Sequence, residues 1–259
     1  MRGRTARGLD LDADVPDGAG CAHEEFVDPD GHGGIDNQAW RAMGCWPTLR
    51  GEDGNGGEVI TNAGQRLISG EDSQVLVISG IDSFVDDEDV QIVYANTNDR
   101  AIVDSRRNFL PNSTYNVTPN TRYRNVLRGK IKNGVLSSEP SRLLLKQTWG
   151  QGGSRDIRGS RTAYDLNRAR LQLTFQPDGT LRGLVGGYQP IWNVIAPQSL
   201  GGLGSAVVGG IDCAAQYKAL QLMADGDRDS RTGTCRTISS AYDLTAVPAF
   251  VNDIVRLPD

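Results

Sequence analysis

Between Gln74 and Tyr188 the chain keeps returning to one pattern: a short aliphatic run, a turn signal, then another run of the same kind. Gln74 to Gly80 (QVLVISG) and Val90 to Tyr94 (VQIVY) are rich in valine and isoleucine, as strands prefer. Between them the acidic run Asp86-Asp87-Glu88-Asp89 reads as a solvated connection. Val126 to Lys132 alternates, with Val126, Arg128, Lys130 and Lys132 on one side and Leu127, Gly129 and Ile131 on the other. Asn133-Gly134 follows, a two-residue hairpin signal because both turn positions need positive φ. Arg142 to Trp149 is a further strand candidate. Arg170 to Gln176 puts Leu171, Leu173 and Phe175 on one face, and Pro177-Asp178-Gly179 turns the chain back into Thr180 to Tyr188.

Strands this short, this regularly punctuated, argue for a mainly β fold: a β-sandwich or jelly-roll-like domain with two or three short peripheral helices. Two helices are legible. Asp36 to Met43 has Asp36 as a cap and Gly44 as a stop; Asp212 to Met223 has Asp212 as a cap and an apolar side of Ala215, Leu220, Leu222 and Met223. Residues 50–58 and the glycine cluster at 201–210 read as loops, and Leu244 to Val251 as a short extended tail. Residues 1–20 read as a polar lead-in to one β-rich domain over 21–259, whose first part, 21–58, carries a calcium-loop region. At 259 residues this fits one large β domain. No stretch approaches the roughly 18 apolar residues of a membrane-spanning helix.

The net charge of -5 conceals a strong division along the chain. Residues 1–99 hold 6 basic and 20 acidic side chains, residues 100–182 hold 16 and 5, and residues 183–259 hold 5 and 7. A basic middle either faces a polyanion or pairs with the acidic first third inside the fold. The overall negative charge and the absence of a dense Lys/Arg run favour internal pairing, so nucleic acid is not the expected partner. Arg128, Lys130, Arg168 and Arg170 are the residues of this stretch that would line a binding groove.

The start of the chain carries Arg2, Arg4 and Arg7 with no apolar segment after them, so it is no signal peptide as written. The four cysteines, Cys21, Cys45, Cys213 and Cys235, point the other way. They fall into two local pairs, and an even set without any Cys-x-x-Cys suits disulfides better than zinc or redox motifs. Four cysteines allow three pairings. Local closure favours Cys21–Cys45 and Cys213–Cys235, in a periplasmic or extracellular protein whose leader lies upstream.

Three aspartate-rich stretches offer several hard oxygens at short range, which is what calcium needs. They are Asp28, Asp30 and Asp36; Asp10, Asp12 and Asp14; and Asp225, Asp227 and Asp229. The first resembles an EF-hand loop, and the Asp-rich loops of dockerins and thrombospondin type 3 repeats. It departs at His32, where Asp or Asn is usual, and at Ala39, where the bidentate glutamate is missing. A single irregular calcium site is the expectation, with the Asp10–Asp17 stretch closing on the first loop as one shared site. The competing reading for each stretch is an aspartate turn, in which the side chain bonds its own backbone.

The stretch Cys21-Ala22-His23-Glu24-Glu25-Phe26, Asp28-Pro29-Asp30-Gly31, Gly34-Ile35-Asp36-Asn37-Gln38 and Gly44-Cys45 resembles the N-terminal signature of a family of uncharacterised exported bacterial proteins. The Ala246-Val247-Pro248-Ala249-Phe250 ending is similar. The resemblance implies export from a bacterial cell and implies no activity.

Familiar catalytic motifs are missing. His23 and His32 are the only histidines, Leu203 stands where a Gly-x-Ser-x-Gly elbow needs glycine, and no Walker-type Gly-Lys-Ser/Thr occurs. The leading expectation is a secreted or periplasmic, calcium-stabilised binding or structural module for a carbohydrate or cell-surface protein. The alternatives are a polysaccharide lyase or hydrolase using an Arg/Tyr-rich groove within 100–182, and a non-catalytic polyanion binder. No catalytic residue is assigned.

Overall fold

The alternation of Val126 to Lys132 becomes a strand, β4 (Arg124–Lys132), in which Asn125, Leu127, Gly129 and Ile131 are buried and the residues from Val126 to Lys132 between them are exposed. Asn133 (φ 51°) and Gly134 (φ 77°) then take the left-handed conformation that a tight hairpin demands, and β5 (Val135–Ser138) returns antiparallel. In this computed structural model the described residues are 3–13, 20–45, 47–50, 57–146, 163–200 and 213–252.

The same logic extends on both sides. β1 (Gln74–Ser79) pairs with β2 (Asp87–Asn96), and β2 pairs with β4. β7 (Ala163–Phe175) pairs with β5, with β6 (Ser141–Lys146) and with β8 (Leu181–Pro190). β10 (Cys235–Ala246) continues the sheet beyond β8, and β9 (Gly226–Arg228) closes its edge. Every pairing in this nine-stranded sheet is antiparallel. A small parallel pair, β3 (Ser113–Asn116) with β11 (Ala249–Asn252), stands apart from it. The chain is mainly β, and its architecture is sandwich-like.

The main core collects one face of these strands: Ile92, Leu127, Ile131, Leu136, Leu171 and Leu173 are all essentially inaccessible. Helices α1 (Gln38–Met43), α4 (Ile191–Leu200) and α5 (Cys213–Met223) pack with β10 in a second core around Leu220 and Ile238. Among the described residues α2 (Pro47–Arg50) and α3 (Glu58–Ser69) are also helical, α3 ending at Gly70 in the left-handed conformation. The α3 helix has no counterpart in the sequence reading, because Val59, Ile60 and Thr61 weaken helix propensity over its first turn.

Two expectations need correction. Asp87, Glu88 and Asp89 are not a connection but the first residues of β2, with an irregularity in register between Asp87 and Val90. The tail expected from Leu244 to Val251 is divided between the end of the long strand β10 and β11. The supposed lead-in is stitched into the fold over its described part: Thr5 bridges Val27, Leu9 bridges Asp36, and Leu9 and Leu11 pack on Tyr188.

The sulfur chemistry is also rearranged. Cys21 is bonded to Cys235, with Cα atoms 6.1 Å apart, and Cys45 is a free, exposed thiol. The local pairings Cys21–Cys45 and Cys213–Cys235 are therefore excluded. Sequence proximity misleads here because the 20–23 segment runs beside residues 224–225, just ahead of β9, where Cys21 N donates to Asp225 O at 2.9 Å. The side chain of Cys213 lies outside the described residues.

Candidate functional site

The extended run Leu9-Asp10-Leu11-Asp12 alternates in burial: its leucines enter the core and its aspartates face outward. Asp36 N donates to Leu9 O at 3.0 Å, which places the Asp36 carboxylate beside the two outward aspartates. One ligating oxygen from each of Asp10, Asp12 and Asp36 lies within 4.8 Å of the others. Members of the two N-terminal aspartate stretches thus come together in a cluster that could hold a metal ion, though without Asp28 and Asp30.

Asp28 and Asp30 do not join it. Asp28 Oδ1 accepts from Asp30 N at 2.9 Å and His32 N at 2.8 Å, and its Oδ2 meets His32 Nδ1 at 2.9 Å. The carboxylate closes its own turn, so the turn reading describes this loop. Those hydrogen bonds hold Asp28 below the usual carboxylate range and raise the His32 imidazole. Asp14 lies outside the described residues.

The third stretch also disperses. Asp225 is buried, its carboxylate accepting from Ser239 N at 2.7 Å. Asp227 accepts from Asn167 Nδ2 at 3.3 Å. Asp229 accepts from Arg231 N and Thr232 N and pairs with Arg236.

Asp12 and Asp36 line a cavity of about 780 Å³ that Asp225 and Tyr188 also line. The disulfide residue Cys21 and its neighbour His23 form another wall, with His23 Nε2 2.9 Å from Ala224 O. Gly226 also lines it, and a Cβ there would run into the Tyr188 ring and the Thr237 hydroxyl, so only glycine lets β9 approach this closely.

Burial dominates the electrostatics. It pushes the Asp36 carboxyl up to about 7, reinforced by Asp12, Asp225 and Asp10 and opposed by the 2.8 Å hydrogen bond from Leu11 N. It pushes Asp225 up to about 6, opposed by the Ser239 hydroxyl, by the Ser239 backbone N–H and by His23. Burial and these same carboxylates raise the Tyr188 phenol, and burial with Asp10 raises Asp12.

Two non-glycine residues of the lining, Arg168 (φ 51°) and Asp227 (φ 49°), hold left-handed backbone. Such a conformation costs about 1 kcal/mol or more in a residue with a Cβ, and gathers at sites where geometry matters more than local ease. Arg168 sits where the β7–β8 register shifts, between Asn167 and Arg170.

Of the four basic residues picked from the sequence, only Arg168 lines the cavity. Arg128 Nη1 pairs with Asp89 at 3.0 Å, Arg170 Nη1 donates to Asp10 O at 3.3 Å, and Lys130 is exposed on the outer face of β4. Arg142 and Asp165 form a two-pronged pair at 2.7 and 2.8 Å. Part of the basic middle is thus neutralised within the fold. Sequence reasoning missed Tyr188, Gln38 and His23 as lining residues, because nothing local in a strand, a helix start or a polar loop marks a side chain as facing a cavity.

The donor set at Asp10, Asp12 and Asp36 consists of hard carboxylate oxygens, which suit calcium or magnesium and not thiophilic metals. No family model, curated protein or solved structure matches the chain, so this geometry is the ground on which its function is argued.

Proposed function

We propose that this protein is an exported, calcium-stabilised binding module whose cation is held by Asp10, Asp12 and Asp36 at one side of a ligand cavity. The observation that carries this reading is the convergence of three carboxylates from two separate segments within 4.8 Å, one of them buried in a wall of that cavity. A cation there would favour the charged form of Asp36, which burial first and the neighbouring carboxylates second disfavour. Three carboxylates supply only part of the six to eight oxygens calcium takes, which leaves coordination positions for water or a ligand oxygen. The Cys21–Cys235 bond is compatible with an oxidising compartment. A carbohydrate or cell-surface partner fits a polar, oxygen-lined cavity of this size.

Thermal unfolding in calcium and in EDTA tests the reading. Calcium at about a hundredfold excess over Kd is expected to add about 2.7 kcal/mol of stability, and Asp36→Asn to remove most of that response. A melting curve indifferent to calcium and EDTA rejects it.

A second reading, a lyase acting on an acidic polysaccharide, draws on one observation: Arg168 and Tyr188 line the same cavity. Ultraviolet absorbance of an unsaturated uronate on incubation with alginate or polygalacturonate would support it, and its absence on both would count against it.

A further inference from the structure

We infer that this protein pairs with a second copy of itself through β1, the two strands running antiparallel so that two sheets join into one. The inference goes beyond the binding-module reading and rests on neither the cavity nor a cation. The register of β1 with β2 is uninterrupted from Gln74 to Ser79. Thr97 N donates to Ser73 O at 2.9 Å, which fixes the phase of this ladder. Bonded and unbonded pairs alternate in an antiparallel ladder, so Val75, Val77 and Ser79 exchange their backbone bonds with β2. The N–H and C=O groups of Gln74, Leu76 and Ile78 therefore point away from it. Among the described residues no second strand pairs with β1 and nothing bonds to these groups.

The fold guards its other edges. At the far end of the sheet β9 is three residues long, with Asp227 and Arg228 exposed. The outer side of β6 is capped by side chains. Asn125 Nδ2 donates to Leu144 O at 2.9 Å, Asn125 Oδ1 accepts from Leu144 N at 2.8 Å, and Asn96 Oδ1 accepts from Lys146 N at 2.7 Å. Shortness, charge and covering are the usual protections of an edge strand. β1 has none of them: no proline, no bulge, and no ionisable side chain from Ser73 to Ile81. It is also apolar on both faces. Leu76 and Ile78 lean on the main core, while Val75 and Val77 join a smaller one with Tyr115 and Val117. Runs of this kind belong to strands inside a sheet, yet Leu76, Val77 and Ile78 remain partly exposed.

A second β1 complements this edge. With a twofold axis at Leu76, that residue faces its own counterpart and Gln74 faces the second copy's Ile78. Each outward N–H then meets an outward C=O, and no group on either edge is left over. Leucine meets leucine on one face, Val75 meets Val77 on the other, and no like charges are opposed because the stretch carries none. A free peptide would lose conformational freedom on pairing here, whereas a second β1 is already held extended by β2. No residue lining the cavity lies in β1 or β2, so each copy keeps its cavity.

Sedimentation velocity of the full chain over a concentration series tests this. One strand pair is a small interface, so a dimer with a Kd of about 1–100 μM is expected. Leu76→Lys and Leu76→Glu each set like charges opposite one another, and each alone is expected to weaken the dimer about tenfold or more. Mixed one to one they are expected to restore it, because this register places residue 76 against itself. Both substitutions also touch the main core, so the unsubstituted protein supplies a second readout. Amide hydrogen exchange at Gln74, Leu76 and Ile78 should slow severalfold as concentration rises through the Kd, while Val75 and Val77, already bonded to β2, stay slow throughout. If neither variant folds, this exchange pattern decides alone. Sedimentation as a single chain across the series overturns the proposal. So does a dimer whose outward amides exchange as fast as in the single chain, or a pair of folded variants that dimerise as tightly as the parent. A mixture of the folded variants that stays monomeric overturns it as well.

Discussion

Asp225 is the residue where folding and ionisation conflict most plainly outside the cation trio. Its folded pKa, about 6, lies above the ordinary 3.8, because burial disfavours the charged form. The folded state therefore holds this proton more tightly than the unfolded chain. Its contribution to stability is complete below about pH 4 and is lost as pH rises through about 6, a change of about 3 kcal/mol. Urea unfolding in EDTA should show stability falling across that window, and Asp225→Asn should flatten the slope. Gly226 makes a different demand. Gly226→Ala would push its methyl against Tyr188 and Thr237, and chemical denaturation should register a loss of about 1–3 kcal/mol.

Among the elements, β7 and β4 were legible because alternation alone fixes which side of a strand is dry. Leu171 and Leu173 are inaccessible, as their alternation predicts, while Val126 is 42% exposed on the other face of its strand. Leu171→Ala should cost about 2–5 kcal/mol in equilibrium unfolding, and Val126→Ala little. The helices were harder to read. The α1 helix was placed through Gly44 just beyond its end, but its cap is Asn37 and not Asp36: the Asn37 side chain accepts from Trp40 N at 3.2 Å, while Asp36 turns to Leu11 N. The α3 helix has a glycine at its start with no side-chain cap and a β-branched first turn, so its one clear signal is Gly70. The site was half legible. The aspartate pattern marked Asp10, Asp12 and Asp36, but Gln38 and Tyr188 reach the cavity through contacts that no local pattern encodes. The cysteines teach the same lesson. Iodoacetamide labelling followed by peptide mapping should modify Cys45 in the native protein and reach Cys21 and Cys235 only after reduction.

On the scale of the whole molecule, charge along the chain and charge in space differ. The acidic first third meets the basic middle through pairs such as Arg128–Asp89, and it meets its own kind at Asp10, Asp12 and Asp36. The first arrangement adds little individually, since exposed pairs contribute about 0–1 kcal/mol. The second concentrates negative potential in a single cavity, with the described lead-in, the 20–38 segment and the sheet at β7, β8 and β9 as its walls. A module built this way holds its walls together only while all three stay docked, and the Cys21–Cys235 bond fastens two of them. In the chain-entropy picture a link spanning 214 residues limits the unfolded ensemble by about 5 kcal/mol.

That bond also decides how the molecule meets mechanical load. Tension arriving at residue 20 on one side and residue 236 on the other crosses directly from sulfur to sulfur, and the strands enclosed between them are never stretched. Held in a force spectrometer at those two points, the oxidised protein should extend without an unfolding event, and only after a reductant has been added should the sheet begin to give way.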